Sequence, residues 1–434
     1  MKVIHVTDKP YSQTHQLGYW YVPGYILFAL MLFLPTTYTS FKAIWMAICL
    51  GILLVSILNS GKIRLHPTVF SFGFFYILLG AALVLRAAII NTPGGLRVST
   101  VFVLWPAIYL LYVSAISKPR VLVILLKIIV WITVAICLYG LVYILTNMSL
   151  IPSFLYIPID VGQKFVVHGS RITFRIHSVT TLIFSLPFLI SLTLIQLRQP
   201  KADHLIAMPI LWVAILASII IIFLRSVGSI ILVTLLSPVI HYIFSFILKK
   251  GSLRKGLGLK WVLFIIGFLF AAFVITNLFN VDIVSFWRQE VLGSIDPELD
   301  PGAQIRLDQF YALWADWRSS PLLGIGLGQV SRSYVRAPDT PWAYELTYIA
   351  LLAQIGLIGI LSYGFGFIWL YWKSFQIIRS KTYLSSLMLP VLVGLTCFLL
   401  ANATNPFLLK YDFLWVIFLP IAFVNCFNIY RDKS

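Results

Sequence analysis

The stretch "ILASIIIIFLRSVGSIILVTLL", Ile215 to Leu236, decides what kind of protein this is. Two apolar runs meet around "RSVGS" with almost no loop between them. Each continues outward far enough to cross a bilayer, which takes about 20 predominantly apolar residues. An arginine at such a pinch is costly to hold near hydrocarbon and marks a functional site by default, unless it snorkels to the headgroups. Arg225 is therefore a candidate site residue, and the two runs are adjacent membrane spans.

The same pattern repeats in both directions. Twelve spans are predicted, at 22–40, 41–58, 68–90, 98–116, 121–146, 176–196, 205–224, 229–248, 261–279, 344–372, 383–402 and 413–429. A mean hydropathy of +0.96 with 11% charged residues agrees, since soluble domains carry about 25% charge. The expected fold is all-α: one polytopic transmembrane domain over 1–434. The N-terminus lacks the apolar core and small-residue cleavage site of a secretory leader and is expected to stay on the chain. Cys49, Cys137, Cys397 and Cys426 all fall inside predicted spans and read as apolar packing residues, with no disulfide or metal spacing.

The net charge of +18 does not point to nucleic acid. Seven short segments on alternate sides of the spans hold 18 of the 32 Lys and Arg, the positive-inside pattern that puts them and both termini in the cytoplasm. The other fourteen are ten arginines and four lysines, whereas the cytoplasmic loops hold twelve lysines and six arginines. Topology signalling does not distinguish the two cations. Phosphate recognition does, because a guanidinium offers a planar fork that grips phosphate bidentately. The outer arginines therefore suggest a phosphate or pyrophosphate ligand at the membrane surface. Salt bridging is the alternative, since nine of the fourteen acids lie between Asp282 and Glu345.

Two outer segments are too long to be connectors. The first, 147–175, ends in a basic cluster containing Arg171 and Arg175, flanked by His168 and His177. The second, 280–343, carries Arg288, Arg306, Arg318, Arg332 and Arg336. Within it Leu307, Phe310, Trp314 and Trp317 fall on one face of a predicted helix, suited to the lipid–water interface. "GIGLG", Gly324–Gly328, has no strand–helix unit around it and reads as a tight turn that brings backbone close to a ligand or a helix. The acids of "DPELDP", 296–301, read as a solvated turn. Arg86 lies near the outer end of the third span. Glu345 is the only carboxylate inside a predicted span; it suits a general base that takes a proton from a hydroxyl, with a structural ion pair as the alternative.

Together these segments resemble the superfamily of O-antigen polymerases (Wzy-type) and O-antigen ligases of bacterial inner membranes. "FLRSVGSIILVTLL" is similar to its arginine-plus-small-residue motif, and "RLDQFYALWADWRSSPLLGIGLGQV" to its outer-loop helix followed by Pro and a Gly-x-Gly turn. "YELTYIALLAQIGLIG" resembles the start of the next span, and "GSRITFRIHSVTTLIFSLPF" matches more loosely. The resemblance implies a GT-C-like membrane glycosyltransferase with a large periplasmic catalytic loop. It would act on undecaprenyl-pyrophosphate-linked glycans as donor and acceptor at the periplasmic face of the inner membrane, with a chain-length regulator as a further partner. On it, Arg225 and Arg306 hold the pyrophosphate and join Glu345 as catalytic residues. Arg86, Arg171, Arg175, Arg288, Arg318, Arg332, Arg336 and Tyr344 are expected to bind substrate. Where ligases carry His-Asn, this chain has Tyr344-Glu345, which favours polymerase over transfer to lipid A–core. "PTTYTSFK", the first outer loop, contains no acid, so no cofactor or metal is expected. The rival from another class is a flippase for the same lipid-linked glycan.

Overall fold

The computed structural model describes residues 21–432 apart from 62, 161, 169–170, 226–227, 250–300 and 381. The predicted span 261–279, Arg288, all but the last residue of the "DPELDP" turn and the N-terminal segment lie outside the described residues. The other eleven predicted spans fall on helices: α1 (Val22–Phe33), α2 (Thr39–Ser60), α3 (Pro67–Ile89), α4 (Gly95–Ile116), α5 (Pro119–Asn147), α6 (Leu182–Gln196), α7 (Met208–Arg225), α8 (Gly228–Lys249), α10 (Thr347–Arg379), α11 (Tyr383–Ala401) and α12 (Trp415–Arg431). An additional helix, α9, spans Pro301–Ser319. Among the described residues nine helices are long and apolar enough to cross a membrane, with α1 and α7 shorter. The chain is a mostly helical, polytopic membrane protein.

Helix α6 is the hub. Its sequence "LIFSLPFLISLTLIQ" has no charged residue, and a helix apolar on all sides belongs in an interior. It is buried by α5, α7, α8 and α11. Small hydroxyl residues let the backbones approach, and Ser191 Oγ meets His241 Nδ1 of α8 at 2.7 Å. The two ends of the bundle are stapled by polar side chains. At one end the buried Asn425 of α12 accepts the His66 N–H at 2.8 Å and donates to Arg64 O and Ser117 Oγ, joining three segments. At the other, Lys42 pairs with Asp412 at 2.9 Å, both fully buried, and Asp412 Oδ2 accepts the Thr36 N–H. Lys42, counted among the outer cations from sequence, is thus internal and structural.

One segment departs from the all-α expectation. Between α5 and α6, β1 (Lys164–His168) and β2 (Arg171–Arg175) pair antiparallel, with Phe165 opposite Phe174. "KFVVHGSRITFR" alternates and carries β-branched residues on both sides of a two-residue Gly-Ser connection, which is a hairpin signature that membrane hydropathy overshadows. Tyr143 of α5 packs against both phenylalanines.

Helix α10 is broken near its start. Gly356 adopts φ 67°, ψ −176°, a conformation confined almost wholly to glycine, and the freed backbone groups pair with the loop after α9. Ile325 and Gly326 donate to the carbonyls of Ala353 and Gln354, while Leu357 and Ile358 donate to those of Pro321 and Leu322, at 2.8–3.1 Å. A broken helix is tolerated in a membrane protein only where such partners replace the lost bonds. The "GIGLG" turn thus approaches a helix. A Cβ on Gly356 would lie 2.3 Å from Leu322 O, and one on Gly324 2.5 Å from Gln354 O. Gly356→Ala combines strain with this backbone clash, so it should destabilise by roughly 3 kcal/mol or more. A detergent-solubilised Gly356→Ala variant that melts at the wild-type temperature contradicts this account of the break.

Candidate functional site

The opposite ends of α9 and α10 need a common frame before any chemistry, and it is built from an unexpected face. α9 buries Gln309, Ala312, Leu313 and Asp316, the i, i+3, i+4, i+7 set, against the start of α10. The predicted aromatic stripe lies on the more open side, where Phe310 stacks on Trp314 at 5.8 Å and Trp314 meets Trp317 at 4.5 Å. The three rings are half-buried, Trp317 leaning on the small core of Leu313 and Tyr344, so the stripe forms the boundary between that core and the surface.

Glu345 does not lie inside the span. α10 starts at Thr347, because the Glu345 N–H is taken by Gln309 Oε1 at 2.9 Å and its carbonyl accepts the Thr347 N–H in a turn. This places the carboxylate between two guanidiniums. Arg336 Nη2 donates to Oε1 at 2.5 Å, and Arg306 Nε lies 3.4 Å from Oε2. All three side chains keep a quarter to a third of their surface open. The ion pair foreseen as an alternative is therefore present, doubled. A carboxylate has about four lone-pair sites, so two arginines fix its orientation without exhausting it as a proton acceptor.

A third cation joins from elsewhere in the chain. Lys410, between α11 and α12, has its ammonium pKa lowered by crowding against the protein, opposed by Asp412, and lowered further by Arg175 and Arg336. The same ammonium senses the end of the hairpin and the loop before α10. Arg306 and Arg336 thus bracket the Glu345 carboxylate, while Lys410 feels Arg336 and Arg175 and has Asp412 as its acidic neighbour. Sequence reasoning counted Lys410 only as an outward lysine; its position just ahead of a span in "NPFLLKYDF" was the available signal.

Other expected ligands are committed elsewhere. Arg86 donates to Leu323 O at 2.7 Å and Gly324 O at 2.6 Å, so it clamps the glycine turn and is not aimed at the cluster. Tyr344 is buried, its ring in a small core with Leu313, Ala350 and Ala353, and its hydroxyl accepts the Ser331 N–H at 2.7 Å. Burial pushes its pKa up, and the Ser331 N–H opposes that. It is a pillar beneath Glu345, not a substrate ligand. Arg318 sits over the Trp314 ring at 5.7 Å on the aromatic face, and Arg332 is exposed. The side chains of Arg171, Arg225 and His168, like all of Arg288, lie outside the described residues; Arg225 itself closes α7.

The hairpin is held in register with α6 by a second acid that the sequence did not single out. Asp160 is buried and meets His177 Nδ1 at 2.9 Å through Oδ1, while Oδ2 accepts the His177 and Ser178 N–H groups. Gln163 and Tyr156 close the network onto Tyr139 of α5. His177 thereby sets the base of the strand that delivers Arg175.

Comparison with known proteins finds no matching family model, no matching curated protein and no matching solved structure.

Proposed function

We propose that this chain is an O-antigen-type polymerase, a membrane glycosyltransferase acting at the periplasmic face. It would transfer a glycan from undecaprenyl pyrophosphate to a hydroxyl at the non-reducing end of another lipid-linked repeat. The observation that carries this reading is the Glu345 carboxylate held between Arg306 and Arg336 at one end of the bundle, with Lys410 feeling the charges of Arg336 and Arg175. Such chemistry needs two things. The pyrophosphate that leaves with the bonding electrons must be stabilised, which fixed guanidinium forks can do. The attacking hydroxyl must lose its proton, which the oriented Glu345 carboxylate can take as the new carbon–oxygen bond forms. The interfacial face of α9 would keep the cluster at headgroup depth, where the lipid carrier presents its phosphates. The twelve-span, GT-C-like layout with both termini cytoplasmic belongs to the same proposal.

Extension of purified lipid-linked repeats by the purified chain, without an energy source, tests the assignment. A flippase would leave the repeats unextended. In a deletion strain, single repeats on lipid A–core support polymerase, whereas repeats stranded on the carrier support ligase. The orientation has its own test. A reporter fused after Lys250 should be cytoplasmic and one inserted near Pro297 periplasmic; the reversed pair puts the arginines on the wrong side for such a donor.

A further inference from the structure

At the end of the bundle opposite Glu345 a cavity of about 420 Å³ opens among α1, α2, α4 and α12. Its inner wall is apolar, formed by residues such as Met31, Met46 and Phe418, and its only charged lining residues among those described are Arg64 and Lys118. Both belong to the segments that Asn425 staples together, so the cavity has one greasy end and one cationic end. The Lys118 ammonium lies 2.5 Å from the Tyr21 hydroxyl and 4.9 Å from the centre of its ring. Beside it, the Tyr25 hydroxyl is buried with no hydrogen-bond partner among the described residues, which is costly unless something polar meets it.

The dimensions select the occupant. From Met46 to Ile57, both lining residues on α2, the wall runs about 16 Å at roughly 1.5 Å per residue, half of a ~30 Å hydrocarbon core. An acyl chain of one leaflet matches that length. We infer that this cavity is a binding site for an anionic phospholipid of the adjoining leaflet, one acyl chain lying along α2 and the phosphate meeting Arg64, Lys118 and the Tyr25 hydroxyl. Basic pockets between membrane helices recognise anionic headgroups in this way. Only the naming of that leaflet as cytoplasmic rests on the proposed orientation; the binding itself is independent of the proposed activity.

Native mass spectrometry of the full chain, delipidated and then offered phosphatidylglycerol or phosphatidylcholine of matched chains, tests the site. Two cations should favour retention of phosphatidylglycerol by roughly 30-fold. Arg64→Glu with Lys118→Glu should abolish that preference. Gly24→Leu should block both lipids, because Gly24 lines the cavity, a Cβ there meets no atom within 4 Å, and the larger side chain takes space the acyl chain would use. Equal retention of the two lipids by wild type overturns the proposal, as does wild-type retention in Gly24→Leu. Displacement of the lipid by soluble glycerol phosphate would reduce the site to a phosphate site with no tail, and overturns it too. Failure of glycan extension leaves each of these outcomes readable.

Discussion

Glu345→Gln is expected to lower single-turnover extension of a defined lipid-linked repeat by about 10²-fold or more, in line with general-base contributions. Binding of the lipid-linked donor should change little. The geometry explains both halves. A glutamine keeps a carbonyl oxygen for Arg336 Nη2 and the backbone bond to Gln309, so Arg336 and the head of α10 stay placed, and Arg306 gives up only its longer contact. It cannot take the hydroxyl proton. Unchanged turnover would leave Glu345 as an ion-pair partner alone. Joint loss of turnover and donor binding would show that its work is to orient Arg306 and Arg336.

Arg306→Lys, Arg336→Lys and Arg225→Lys should each be nearly as damaging as the corresponding alanine variants, with normal expression and insertion. An ammonium restores charge but not the fork, and losing one charge-assisted hydrogen bond costs about 1.5–3 kcal/mol, at least roughly tenfold in activity. Arg306 already uses Nε toward Glu345, so its planar group is set by that contact in a way lysine cannot copy. Kinetics on purified variants with defined donor decide it. Full activity in the lysine forms would mean that positive charge suffices, and pyrophosphate recognition by forks would fall.

The helices could be read from the chain because hydropathy over twenty residues is a property of composition, and eleven predicted spans meet described helices. The departures share another cause. Arg86 was read as facing a ligand because the carbonyls it serves, Leu323 and Gly324, stand more than two hundred residues away. Tyr344 looked like a ligand because nothing in its neighbourhood announces Ser331 as its partner. The aromatics of α9 announced its interfacial stripe, but not that its buried side carries Gln309, whose partner Glu345 lies across a loop. Glu345 stood out in sequence as an acid at the head of a span, and the arginine nearest to it in sequence, Arg336, is the one with the shorter contact. What hydropathy cannot show is which distant groups end up sharing a hydrogen bond.

The break in α10 carries a consequence for how such a chain can drift over generations. The strands of contact between 321–326 and 353–358 run from main chain to main chain, so they place almost no demand on the identity of Leu322, Ile325 or Leu357. They place an absolute demand on the absence of a side chain at Gly324 and Gly356, and Gly326, at φ 117° against Ile90 and Thr92, is under the same demand. A saturation library over this region should therefore return near-invariant glycines at 324, 326 and 356, with free exchange among apolar residues at 322, 325 and 357. Lineages could then diverge widely at those apolar positions while keeping the same architecture, because the instruction that survives is written in what the three glycines lack.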